Sequence, residues 1–185
     1  ANSADRRHHT AQAVSLMTEG RAKALHILVE DDVAEMVLAE IIRRVNPSFL
    51  KTIAIHPSGD TKTIHNVMTA LHESGLPVAA VRDADKQGEP KKNIFKLPGG
   101  LPPEKEVLMN PRVQTYVLET YGTDVSNFLA ISQDLDHHEW FGKLAEIVAV
   151  DKNALVHETA KVYARSISEL DVGTLVKQLE EAIRK

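Results

Sequence analysis

A chain of 185 residues, 43% hydrophobic and 26% charged, can fold around a real core as one domain or a domain with a modest appendage, which excludes intrinsic disorder. It has no cysteine, so disulfides, thiolate metal sites and cysteine nucleophiles are excluded. The net charge of −4 argues against a strongly basic nucleic-acid coat, yet leaves room for a partner whose phosphates are met through bound divalent cations.

Residues 1–23 begin with Ala rather than Met and form a polar leader, expected to be the end of a linker from an N-terminal domain not contained in this chain. The stretch ANSADRRHHTAQ lacks the apolar segment of a signal peptide, and no apolar run approaches the roughly 20 residues that span a bilayer. A cytoplasmic protein with no membrane partner is expected. Ala24 to Val29 is a short apolar run with β-branched members between charged neighbours, which predicts a buried first strand. From Asp32 to Val45, Val33, Met36, Val37, Leu38, Ile41 and Val45 recur at helical spacing, with acids leading and Arg43-Arg44 closing, as the helix dipole favours. Asn46-Pro47-Ser48 breaks this helix, and Leu50 to Ile55 is expected to be a second strand. Thr61 to Ser74 predicts a second amphipathic helix with Gly75 as its stop, and Pro77 to Val81 a third strand ending in Asp83-Ala84-Asp85. After a charged loop, Lys86 to Lys92, Asn93 to Leu97 reads as an edge strand closed by Pro98-Gly99-Gly100. From Glu104 onward only helical periods follow: Glu104–Met109, Arg112–Tyr121, Val125–Ile131, His138–Val148, Asn153–Arg165 and Leu170–Ile183.

Strands alternating with helices at this pitch imply right-handed β-α-β units and a Rossmann-type parallel sheet. The expected fold class is therefore α/β, with a sheet domain over 24–103 and a small all-helical module over 104–185. Ligands of such sheets sit beyond the carboxyl ends of the strands, where Glu30 and the Asp83/Asp85 pair both fall. Three carboxylates gathered at one rim repel one another unless a cation is present. Hard ions such as Mg²⁺ or Mn²⁺ accept a few carboxylates and keep exchangeable waters, and two of them can clamp both oxygens of a phosphodiester displacement. Singly, each acid has a plain alternative as a loop former or N-cap; jointly they make physical sense as a metal site.

LHILVEDDVAE and, one β-α unit later, VAAVRDADKQG resemble the Toprim domain, with a Glu after the first strand and a DxD after the third. KLPGGLPPEKEVL and the tail containing HHEWFGKLAE further resemble the C-terminal half of the OLD-family (overcoming lysogenization defect) nucleases, whose relatives include the nuclease of the Gabija phage-defence system. The resemblance implies a Toprim endonuclease that nicks or cleaves DNA with two divalent ions, Mg²⁺ or Mn²⁺, in phage defence or DNA repair. It implies too an ATP-binding-cassette ATPase domain in the same full-length chain. On this likeness Glu30 is a metal ligand or the proton acceptor for the attacking water, and Asp83 and Asp85 are the metal-binding pair; Asp31 and Glu35 extend the first motif, and Glu158 is a further candidate ligand. Family members often carry a late Lys-Gly where this chain reads Asp171-Val172-Gly173. Lys161 or Lys177 would then have to supply the transition-state charge.

Lys86, Lys91, Lys92 and Lys96 form a local basic stretch that reads as a DNA backbone-phosphate contact. Two other readings use the same acids. ILVEDD also resembles the opening of a response-regulator receiver, in which Asp83 would be phosphorylated and Lys96 would imitate the receiver lysine. A receiver, however, places two β-α units between those positions, where one short loop and one strand stand here. The other is a non-catalytic Toprim module that binds DNA. His137 and His138, with Asp134 and Asp136, invite a zinc site, but adjacent helical residues point about 100 degrees apart, so the DLD is read as an N-cap.

Overall fold

The computed structural model describes residues 23–183, and the expected leader lies almost wholly outside them. Four parallel strands, β1 (Leu25–Val29), β2 (Ile53–Pro57), β3 (Val78–Arg82) and β4 (Ile94–Lys96), form one sheet in the order β2-β1-β3-β4. The chain leaves β1 toward β2 and then crosses back to β3 on the other side. The topological switch point thus lies between the carboxyl ends of β1 and β3, where ligands of open parallel sheets bind.

Period-two alternation divides the sheet into two faces. Leu25, Ile27, Val29, Ala79, Val81 and Phe95 face the larger core, while Leu28, Val78, Ala80 and Ile94 face a smaller one. The smaller core is covered by Ile64, Val67 and Leu71 of one helix, α3 (Thr61–Glu73), which Asp60 caps through the Thr63 N–H. The larger is covered by α1 (Asp32–Val45) and by the helices that follow the sheet: α4 (Pro103–Leu108), α5 (Pro111–Tyr121), α6 (Val125–Ile131), α7 (His137–Val148), α8 (Lys152–Ser166) and α9 (Glu169–Ala182). Val107, Leu108, Phe141, Leu144 and Leu155 are fully buried in that same core. Arg44 fastens the end of α8 by donating to the Ala164 and Ile167 carbonyls at 2.6 and 2.8 Å. Among the described residues no helix is long and apolar enough to cross a membrane.

One sequence expectation fails. Leu50 to Thr52 is helical, within a short α2 (Pro47–Thr52), and β2 starts only at Ile53. Asn46 ends α1 and at once caps α2, its side chain accepting from the Phe49 N–H at 3.0 Å, while Pro47 occupies the first helical turn where its missing N–H costs nothing. The proline starts a helix here rather than excluding one, and Phe49 is buried as a result.

Candidate metal centre

The candidate site is built where β1 and β3 end. The Ser58 and Gly59 N–H groups donate to the Val29 and Glu30 carbonyls at 2.8 and 3.0 Å, which pins the backbone that carries Glu30. Gly59 has φ +84, a conformation that suits glycine at this close turn. After β3 the chain turns back on itself, with the Lys86 N–H donating to the Asp83 carbonyl at 3.0 Å. Arg82 holds the outgoing loop through the Gln87 carbonyl at 2.8 Å.

Glu30, Asp83 and Asp85 are brought together, as the strand order requires. Asp83 is only 3% exposed. Burial, followed by the charges of Glu30, Asp31, Glu104 and Asp85, pushes its carboxyl up to about 7. Burial also raises Glu30, against the Lys86 ammonium and the Asp83 backbone N–H, which lower it. Asp85 is more open and lies 3.4 Å from Lys86 Nζ. Two buried oxygens, Glu30 Oε1 and Asp83 Oδ1, have no hydrogen-bond partner. Buried carboxylate oxygens without partners are costly, and their convergence here fits a cation-binding site.

The sequence reading missed Glu104. This residue is 1% exposed at the start of α4, and its charge acts directly on Asp83. Its Oε1 lies 3.0 Å from His138 Nδ1, while its Oε2 is buried and unpartnered. The loop before α4 explains its placement: Glu106 Oε1 accepts from the Gly100 and Leu101 N–H groups at 2.7 and 2.9 Å, folding the Pro-Gly-Gly turn onto the helix start. His137 and His138 were expected to diverge, and here the structure differs. Asp136 does cap α7, accepting from the His138 N–H at 3.1 Å. Yet in this first turn the two rings lie 4.1 Å apart, and with Glu104 they form a group that could hold a metal ion, each offering one atom within 4.8 Å of the others. Burial lowers the His138 imidazole, but the Glu104 hydrogen bond and the charges of Glu104, Asp136 and Asp31 outweigh it and leave it above its ordinary value.

The remaining sequence candidates scatter. Asp31 spends Oδ1 on capping α1, accepting from the Ala34 N–H at 2.9 Å, and turns Oδ2 to within 3.7 Å of His138 Nδ1. Glu35 stands one turn into α1, raised by burial and by Asp32. Glu158 pairs with His157 and Lys161, and Lys161 lines a depression with Glu40, Arg43 and Arg44, roughly 12 Å down α1 from its start at 1.5 Å per residue. Lys177 is exposed one turn before Glu180, which accepts from Asn46 beyond the far end of α1. Neither lysine is brought to the acids. The basic stretch divides as well. Lys86 faces the acids, and Lys96, closing β4, donates to the Ala84 carbonyl at 3.0 Å. Lys91 and Lys92 instead line a cleft with His65, His72, Leu76 and Val78, toward the amino ends of the strands.

A parallel sheet of this order with a glutamate after its first strand and a DxD after its third is an α/β fold of Toprim type. Solved structures of the C-terminal region of the OLD protein from Xanthomonas campestris pv. campestris share it. The form phased with platinum matches at a TM-score of 0.54 and 16% identity, over 88% of this chain and 94% of that one. The form phased with mercury matches at 0.52 and 19%, over 88% and 95%. The likeness is one of fold: this chain has the Toprim-like fold of the OLD C-terminal region, as the sequence resemblance implied. No protein-family model and no curated protein matches the chain.

Proposed function

We propose that the chain is a metal-dependent DNA endonuclease of the OLD type, a phosphodiester hydrolase working with two divalent ions, Mg²⁺ or Mn²⁺. One observation carries the reading. Glu30, Asp83 and Glu104 each bury a carboxylate oxygen that has no hydrogen-bond partner, all at the switch point of the sheet. A purely structural cluster would pair those oxygens or expose them.

In this reading Glu30, Asp83, Asp85 and Glu104 would hold the ions, which would supply Lewis-acid activation of the phosphate and of a water. The chain's own groups do the rest. Glu30, whose carboxyl burial raises from its ordinary value, takes the proton of the attacking water. Lys86, whose ammonium acts on Glu30, offsets negative charge at the reacting phosphate in place of Lys161 or Lys177. Lys86 and Lys96 contact the DNA backbone from the same rim. The sheet carries the DxD and Glu30, the helices from Pro103 onward close the site with Glu104, and an ATP-binding-cassette ATPase domain is the proposed partner in a longer chain.

The test is conversion of supercoiled plasmid to nicked circle in Mg²⁺ or Mn²⁺ by the wild type, Glu30→Ala and Asp83→Ala. The reading expects each variant to lose roughly a hundredfold or more of the activity, the scale on which removed transition-state charge stabilisation acts. Equal nicking by all three proteins, or none by the wild type with either ion, refutes it. Labelling of Asp83 by acetyl phosphate would favour the receiver reading instead.

A further inference from the structure

The helical segment carries ligands that the strand-end acids do not explain. We propose that Glu104, His137 and His138 form a further, imidazole-bearing metal site, which shares Glu104 with the strand-end acids and takes a borderline divalent ion such as Zn²⁺ or Co²⁺ in preference to Mg²⁺. The inference concerns which ion binds and where, and it stands whether or not the chain cuts DNA.

Three observations converge. One ligand atom from each residue lies within 4.8 Å of the other two, so small side-chain rotations bring them to the roughly 2.0 to 2.2 Å that nitrogen and carboxylate ligands keep from zinc. The carboxylate of Glu104 is 1% exposed and aimed into the group, with Oε1 at 3.0 Å from His138 Nδ1 and Oε2 without any partner. The His137 imidazole is held from behind, since Asp136 Oδ1 lies 3.2 Å from its Nδ1. A carboxylate that engages one ring nitrogen fixes the tautomer and offers the other nitrogen to a metal.

The chemistry of the donors selects the ion. Two imidazoles and one carboxylate suit zinc, cobalt and their neighbours, whereas magnesium holds to oxygen and sheds its waters reluctantly. Three protein ligands also leave a fourth position open, the arrangement of reactive rather than purely structural zinc sites. Glu104 faces His138 through Oε1 and acts by charge on Asp83. It therefore links this site to the strand-end carboxylates, so an ion bound here would also relieve the repulsion on Asp83.

The whole chain, freed of metal, is titrated with Zn²⁺ by calorimetry in excess Mg²⁺, comparing the wild type with His137→Gln, His138→Gln and Glu30→Gln, each checked for folding by its thermal melt. One Zn²⁺ per chain is expected, weakened on the order of tenfold or more by either histidine change and changed far less by Glu30→Gln. Zinc binding that survives both histidine changes overturns the assignment, as does zinc binding lost only in Glu30→Gln, which would place the ion among the strand-end acids and leave the nuclease reading untouched. Absence of zinc binding to the folded wild type overturns it too.

Discussion

Replacing Asp83 by asparagine removes the charge most acted on by its neighbours while keeping the side chain's shape, and its effect on stability should depend on pH in one direction only. In the unfolded chain the carboxyl releases its proton near 3.8; in the fold, burial and four acidic neighbours hold it until about 7. The folded state binds more protons through that window, so this residue's contribution is full below 3.8, is lost as pH rises, and is gone above about 7. At about 1.4 kcal/mol per pH unit the unscreened loss is about 4 kcal/mol, and water reaching the mouth of the site reduces it to about 2 kcal/mol. The asparagine variant should match the wild type near pH 4 and exceed it at pH 8 by about 2 kcal/mol, or about 4 to 8 °C in melting temperature for a domain of this size.

Melts followed by circular dichroism in EDTA from pH 4 to 8 read the difference between the two proteins. The difference cancels carboxylates that titrate alike in both, such as Asp60 and Glu89, which hydrogen bonds hold below their ordinary values. Adding Mg²⁺ at pH 8 should then stabilise the wild type more than the variant, because the ion replaces the proton as the partner of Asp83. A variant destabilised equally at every pH, or a wild-type advantage that grows toward pH 8 without metal, would refute the claim that the carboxylates crowd one another.

Gly99→Ala should destabilise the protein by about 1 to 3 kcal/mol, because Gly99 has φ +110 and an added Cβ would meet the Glu106 carboxylate; urea melts measure this, and an unchanged midpoint would show that the turn relaxes. Lys86→Ala and Lys96→Ala should each weaken binding of a DNA duplex and reduce its salt dependence by about one phosphate contact, whereas Lys91→Ala should not. Fluorescence anisotropy across a salt series tests this, and an equal effect of Lys91→Ala would return the DNA path to the cleft beside His65 and His72.

The parts legible in the sequence are those fixed by local pattern and chain order. The short apolar stretches Ala24 to Val29 and Pro77 to Val81 predicted β1 and β3 to within a residue or two. The β-α alternation puts Glu30 and Asp83 on the same rim, because parallel crossovers leave both residues at carboxyl ends, and the pairing of β1 with β3 makes them neighbours. The misread stretch, Leu50 to Thr52, was decided by a side-chain cap from Asn46 and by burial of Phe49, neither of which periodicity records. Glu104 and the histidines were illegible for a different reason. A glutamate in the first turn of a helix satisfies the dipole, and an Asp before a helix reads as a cap, so each had a sufficient local explanation. Only the docking of α4 beside α7 makes Glu104 meet His138. The four lysines looked alike for the converse reason, since nearness in sequence hid the length of β4 that separates Lys96 from Lys91 and Lys92.

The same docking shows how the fold sustains a cluster of like charges. Asp83 is buried against Glu104, which arrives on α4, and α4 is held by Val107 and Leu108 packed in one core with Phe141 and Leu144 of α7. Burying each such side chain contributes roughly 1.5 to 3 kcal/mol, so these four supply roughly 6 to 12 kcal/mol as an upper figure. That exceeds the roughly 2 kcal/mol lost by ionising Asp83, so apolar packing is large enough to hold the carboxylates near one another. The repulsion is thereby stored at the rim where a cation would release it, and cation affinity and helix docking become two sides of one equilibrium. A change that loosens α4 or α7, such as Phe141→Ala, should therefore weaken metal binding at the strand ends although it touches no ligand there. Calorimetric titration of that variant with Mn²⁺ measures this, and an affinity equal to that of the wild type would show that the helices pack without bearing on the acids.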